Sequence, residues 1–191
     1  MPKPVLRRQS LLALQALFAL TLSCVVTSDS PVSQLEDSEA IPAYLEGAWD
    51  FTEIAGLDAW GLDSHVTFER VLGGPPRYTL TEGGSTLQRS ASVATVGNLT
   101  ILSLAPDNEE ANWSFASISY DEPNQELTIA FLGHAEVVRD IRAGVVAGEV
   151  HEFDQQELAH LSASSAELRS YFAAHPDAFS DRIAILKKRS S

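Results

Sequence analysis

Tyr44-Leu45-Glu46-Gly47-Ala48-Trp49-Asp50-Phe51-Thr52-Glu53-Ile54 is the stretch whose reading decides the fold. In an extended chain, successive side chains point to opposite sides, so Trp49 and Phe51 share one face while Asp50 and Thr52 take the other. The same period of two runs on to Leu132. Val66 and Phe68 alternate with Thr67 and Glu69, and Tyr78 and Leu80 alternate with Arg77, Thr79 and Thr81. Thr86–Thr95 is a longer, weaker strand, and Leu99–Leu104 follows it. Trp113 and Phe115 alternate with serine and alanine as far as Tyr120; Leu127, Ile129 and Phe131 alternate with Thr128 and Ala130. Gly73-Gly74-Pro75-Pro76, Gly83-Gly84, Gly97-Asn98 and Asp121-Glu122-Pro123-Asn124 separate these runs as turns. Proline has no N–H to give to a strand ladder, which makes the first of these a turn and nothing else. Seven strands on short links read as an antiparallel meander. With apolar residues on one face, it must close into a barrel or pack against a second layer.

Beyond Gly133 the period changes. Val137, Val138 and Ile141 stand at helical spacing within His134–Ala143, which predicts a short helix. Gly144–Phe153 and Glu157–Ala163 read as returning strands. Ser164-Ser165-Ala166-Glu167 matches a capping box, with Leu168, Tyr171 and Phe172 lining one face of the helix it starts and Pro176 ending it. Arg182–Lys187 is the last strand. The fold class expected is mainly β with a minor α part: a meander closing into a barrel or half-barrel, a short helix after strand seven and a C-terminal helix.

The front of the chain reads as an address. Lys3, Arg7 and Arg8 precede the apolar run Leu11–Leu22, the pattern of a secretory signal and too short for a comfortable membrane span. The lone cysteine, Cys24, follows in Leu20-Thr21-Leu22-Ser23-Cys24. That placement resembles the lipobox of bacterial lipoproteins, which implies acylation of Cys24 and a membrane contact through the N-terminal lipid only. The domain plan expected is residues 1–24 as a lipoprotein-type signal peptide, 25–42 as a disordered acidic, Ser-rich tether, and 43–191 as the barrel-like domain. The tether reading rests on the scarcity of large apolar groups in that segment.

Of 191 residues, 13 are Lys or Arg and 26 Asp or Glu, giving a net charge of -13. Such a body repels phosphate backbones, so nucleic acid is not an expected partner. With Cys24 acylated there is no thiol left for a disulfide, a cysteine metal site or a cysteine nucleophile.

Gly47-Ala48-Trp49 at the first strand, the meander behind it, and a late helix before a short strand together resemble the lipocalin (calycin) barrels. The resemblance implies a tryptophan plugging the closed end of the barrel beneath a late arginine, for which Arg182 is the candidate here.

Few chemistries fit the residues. A phosphate-cradling glycine loop and the Gly-x-Ser-x-Gly elbow of serine hydrolases are both missing from the sequence. Glu149, His151 and His160 invite a metal reading, but no His-x-x-x-His or His-Glu-x-x-His accompanies them, and exposed strand polarity accounts for them better. No catalytic residue, metal site or cofactor is therefore expected. On the alternation above, Trp49, Phe51, Trp60, Phe68, Tyr78, Trp113, Phe115 and Phe131 line the barrel interior. Trp60, in a loop between Gly56 and Gly61, sits where a mouth would be. Trp60, Trp113 and Phe115 are the candidate ligand contacts.

The functional expectation is an exported, lipid-anchored, non-enzymatic binding protein of a bacterial cell envelope, facing periplasm or exterior, that carries a small apolar ligand. A protein-interaction or structural envelope module with a filled core is the alternative. An unrecognised hydrolase-type enzyme is the third reading.

Overall fold

The computed structural model describes residues 26–35, 37–54, 65–71, 76–82, 85–105, 112–153 and 156–189. Along the chain these form β1 (Val26–Ser28), β2 (Gly47–Ile54), β3 (His65–Glu69), β4 (Arg77–Glu82), β5 (Ser85–Val96), β6 (Leu99–Leu104), β7 (Ser114–Asp121) and β8 (Glu126–Phe131). Then come α1 (His134–Arg142), β9 (Gly148–Phe153), β10 (Gln156–Leu161), α2 (Ser165–Ala174), a short 3-10 turn at Pro176–Ala178, and β11 (Asp181–Lys188). β2 to β8 run as an antiparallel meander, and β11 slots between β8 and β2 to close an eight-stranded barrel. The architecture is that of a calycin or lipocalin-like barrel. Closure pairs every strand on both sides, which leaves a bare edge only where one strand outruns its neighbour.

Register fixes what faces in. Trp49 pairs with Val66, Val66 with Leu80, Phe68 with Tyr78, Tyr78 with Arg89, Val93 with Leu102 and Leu127 with Leu186. Cross-strand partners share a face. Trp49, Val66, Phe68, Val93, Leu102, Ile118, Leu127, Ile129 and Leu186 are accordingly buried together as the inner core.

A second core lies outside the barrel. Ala94, Val96, Ile101 and Phe115 point outward from β5, β6 and β7, and they are buried under an appended layer. That layer is the three-stranded sheet β1-β10-β9 with the two helices. β1 runs parallel to β10, and Ser28 makes a bridge to Trp113 just ahead of β7, which stitches the added sheet to the barrel. From α2, Leu168, Tyr171 and Phe172 pack into this core, and the Phe172 ring meets Phe115 edge-on at 5.4 Å. The capping box forms as its sequence implies: the Ser164 hydroxyl accepts from the Glu167 N–H, and the Glu167 carboxylate accepts from the Ser164 N–H. The Ser164 hydroxyl also donates to that carboxylate, and this bond first, then the one from the Ser164 N–H, holds the Glu167 carboxyl below the usual carboxylate range.

Residues 26–35 and 37–42, within the segment 25–42 expected as a disordered tether, are instead laid against the barrel. Val26 and Val32 enter the outer core and Ile41 the inner one. β5 outlasts β4, and the segment covers the edge that this leaves bare. The Glu39 N–H donates to the Val93 carbonyl, the Val93 N–H to the Ser38 hydroxyl, and the Thr95 N–H to a Glu39 carboxylate oxygen. The Val32 N–H donates to Ser103 Oγ on β6. The segment is poor in apolar groups because its work is done by backbone and hydroxyl bonds to a free sheet edge. Three well-spaced aliphatic side chains are enough to seat it.

Candidate functional site

One end of the barrel is plugged. Trp49 is fully buried there, its Nε1–H donating to the Leu45 carbonyl at 2.8 Å. Tyr120 meets Trp49 edge-on at 6.0 Å and stacks flat on Tyr44 at 4.9 Å. Ile41 and Leu45 fill the space below, and the Arg70 guanidinium donates to the Ile41 carbonyl. Gly47 joins this plug to β2 at φ 114, a conformation side chains rarely adopt, which is why a glycine stands two residues before the tryptophan. The cation over the Trp49 ring is Lys188 Nζ, 5.4 Å from the centroid. Arg182, the candidate suggested by the family resemblance, stands at the start of β11, the end that pairs through Asp181 with Phe131. β11 is antiparallel to β2, so only its last residues come beside Trp49, and Lys188 is its register partner.

Toward the opposite end the inward-facing side chains emerge. Trp49, Leu127 and Leu186 are wholly buried, whereas Phe51, Leu87, Arg89 and Leu104 are partly exposed. Phe131, inward by its pairing with Ala116, is 37 % exposed. An aromatic ring on the inner face of a barrel strand gains that much solvent only where the lumen opens. Among the described residues, the inner face is thus sealed around Trp49 and most exposed at Phe131.

Of the candidate contacts, Trp60 lies outside the described residues, as does Cys24 with the whole signal segment. Phe115 does not line the lumen: it faces outward into the second core against Phe172. Trp113 is half-buried against that same core and bridges Ser28. The inward positions on β7 belong to Ala116 and Ile118. At the start of this strand both sides are apolar, with Phe115 outside and Ala116 inside.

The appended layer carries two polar clusters. Asp140 of α1 is buried, accepting from the Tyr171 hydroxyl at 2.8 Å and from Arg139 Nε at 2.9 Å. Burial pushes the Asp140 carboxyl up, but the bonds from Arg139 and Tyr171 and the charges of Arg139 and His175 outweigh it, so the group ionises below the usual range. Burial and the Asp140 carboxylate push the Tyr171 hydroxyl the other way, upward. Beside it, Ile141, Val145, Gly148, Tyr171 and His175 border an open groove of about 790 Å³ between α1 and α2.

The second cluster lies on the outer face of the added sheet. Thr27 Oγ1 is 3.0 Å from His160 Nδ1, and His160 Nε2 is 3.0 Å from an Asp29 oxygen. Hydroxyl, imidazole and carboxylate form a chain, but Thr27 lies within β1, Asp29 just beyond it, and His160 across on β10, so the chain fastens β1 to β10. Glu149 and His151 pair with each other at 3.3 Å on the same face. Among the described residues, no group of three or more His, Cys, Asp or Glu is arranged to hold a metal ion, and no helix is long and apolar enough to cross a membrane.

No protein-family model, curated protein or solved structure matches the chain. Its geometry has to speak for its function.

Proposed function

We propose that the barrel binds a small apolar ligand through the end opposite Trp49. The single observation that carries this is the run of inward-facing side chains from fully buried Trp49 to Phe131 at 37 % exposure. A barrel of eight strands is wide enough to be filled by side chains or to hold one small ligand. Among the described residues, the inward-facing side chains are fully buried at the Trp49 end and partly exposed toward Phe131. Phe51, Leu104 and Phe131 offer an apolar surface of the kind that buries most of a small ligand.

We further propose that the protein is exported and held to a membrane of a bacterial envelope through Cys24, and that it acts by binding rather than by catalysis. The basic and apolar leader supports export. β1 begins at Val26, so acylation of Cys24 would leave only about 7 Å of chain between lipid and fold. The barrel would ride directly on the bilayer surface, where an apolar ligand is taken up or delivered.

The test is titration with an apolar dye whose fluorescence rises on leaving water, in wild-type protein and in Phe131→Asp. Saturable binding that the substitution weakens about tenfold or more supports the reading. Binding unchanged in Phe131→Asp, or none in the wild type, overturns it. Native mass spectrometry of protein extracted from its own membrane would report the acyl mass at Cys24 and any ligand carried along.

A further inference from the structure

The two sheets end differently. Each barrel strand has a neighbour on both sides, and β1, at one margin of the added sheet, is bridged to Trp113. β9, at the other margin, pairs with β10 alone among the described residues. Two bonds fix which of its backbone groups face outward. The Ser162 N–H donates to the Ala147 carbonyl directly opposite, and the Asp29 N–H donates to the Leu161 carbonyl, which therefore faces β1. Backbone groups alternate sides along a strand, so those of Glu149 and His151 face β10. Those of Gly148, Val150 and Glu152 face away from it. Native edges are commonly blunted by lysine, proline or a bulge. Gly148–Phe153 contains neither residue, and its register with β10 runs unbroken. Glu149, His151 and Glu152 are exposed, and Val150 is half-buried against the outer core.

We propose that β9 pairs antiparallel with β9 of a second copy of this chain, joining two three-stranded sheets into one of six strands. The twofold axis passes at Val150, where the two copies of this residue exchange both main-chain bonds. Gly148 then faces Glu152 of the second copy, and Glu149 faces His151 of the second copy. Within one chain the Glu149 carboxylate already lies 3.3 Å from the His151 imidazole. Pairing about Val150 gathers two such carboxylates and two imidazoles on the outer face, each acid opposite a ring. The other registers lack this match. An axis at Glu149 or Glu152 sets carboxylate directly against carboxylate, which destabilises a sheet. An axis at His151 separates Glu149 from the opposing imidazole, and one at Gly148 pairs fewer residues. The edge is thus complementary to itself in one register, as a twofold contact requires. One strand of six residues makes a small contact, which places the dimer among weak, reversible ones.

The experiment is sedimentation equilibrium of the full chain in a density-matched detergent at about 0.15 M salt, which screens the net charge of the two copies. The wild type should show a reversible monomer–dimer equilibrium within concentrations up to about 0.5 mM. Val150→Pro removes the central outward N–H, and proline at such an edge position spares the bonds to β10. It should weaken the dimer about tenfold or more. His151→Glu sets carboxylates opposite each other and should weaken it about threefold or more. Should Val150→Pro fail to fold, amide exchange in the wild type decides. The Val150 and Glu152 amides should gain protection as protein concentration rises, while the His151 amide, bonded to β10, is protected throughout. A monomer at every concentration overturns the proposal, as does protection of Val150 that ignores concentration. A dimer that Val150→Pro leaves unchanged also overturns it, because another surface then joins the copies. A dimer indifferent to His151→Glu overturns the pairing about Val150.

Discussion

The strands on the two sides of this barrel are not alike. On β3 and β4 the outer residues Thr67, Glu69, Arg77 and Thr79 are polar and meet water, and only the inner residues are core. On β5, β6 and β7 the outer residues Ala94, Val96, Ile101 and Phe115 are as apolar as the inner ones and are buried under the appended layer. A wall with one wet face shows clean alternation, whereas a wall buried on both faces shows near-continuous apolar sequence. Leu99-Thr100-Ile101-Leu102-Ser103-Leu104 is such a run. The difference teaches that the appended layer is part of the fold. It covers a surface that the barrel could not leave exposed.

If so, the two cores must rise and fall together. The segment 26–46 joins them, with Val26 and Val32 in the outer core and Ile41 and Leu45 in the inner. The largest effects should therefore come from either core alike. Trp49→Phe in a background reporting through Trp113, and Phe172→Ala reporting through Trp49, are informative variants. Phe172 is wholly buried, and its truncation should cost about 3–5 kcal/mol. Urea unfolding should shift to lower midpoint as one transition, seen equally by tryptophan fluorescence and by far-ultraviolet dichroism. Two separated transitions would show that the layer is an independent attachment.

Next in size is the buried polar pair. Tyr171→Phe removes the hydroxyl that satisfies the Asp140 carboxylate and should destabilise by about 1–3 kcal/mol. Its pH dependence has a definite sign. Asp140 ionises in the folded protein below its ordinary range, so the unfolded chain binds the proton more readily. The stabilisation is then fully present above the unfolded carboxyl pKa and is lost as pH falls through the folded one. Asp140→Asn should flatten that acid limb of the stability curve, and an unchanged limb would assign it to other carboxylates.

Much of the fold was legible. The seven meander strands, the short helix, the returning hairpin, the capping box and the closing strand all followed from period and punctuation. These signals are local and strong: proline and glycine set the turns, and the Ser164–Glu167 pair marks its helix. Three things were hidden. Residues 26–42 bind through main-chain bonds to an edge that exists only once β5 has outrun β4, and no composition records that. On β7 alternation fixes two faces but does not say which is inner when both are apolar, so Phe115 was assigned to the wrong side. Lys188 over Trp49 depends on the antiparallel register of two strands at opposite ends of the sequence. At the proposed ligand site, the inner aromatics of β2 and β8 could be read from alternation. Arg89 could be read there too, since it shares its parity with Val93, but a charged residue in a weak strand is easily taken for an outer one.

The smallest expected effect bears on the segment that links the cores. The Glu39 carboxylate accepts from both the backbone and the hydroxyl of Thr95, which holds its carboxyl below the usual range, with the Arg169 charge adding to this. Glu39 and Thr95 are both exposed, so solvent screens the contact and its removal should cost little overall. The local consequence is sharper than the global one. Protonating Glu39 in acid leaves this edge of β5 held by the Ser38 hydroxyl, which accepts from the Val93 N–H, by the Glu39 N–H on the Val93 carbonyl, and by the Arg169 guanidinium on the Thr95 carbonyl. Glu39→Gln should therefore speed amide exchange at Thr95 near neutral pH while leaving the exchange of Ile101 and Leu127 unchanged. The same acceleration should appear in the wild type as pH falls through the folded carboxyl's range, after correction for the intrinsic exchange rate. If Thr95 exchanges no faster in Glu39→Gln, the carboxylate contributes nothing to closing the edge, and the main-chain bonds to Val93 seat the segment without it.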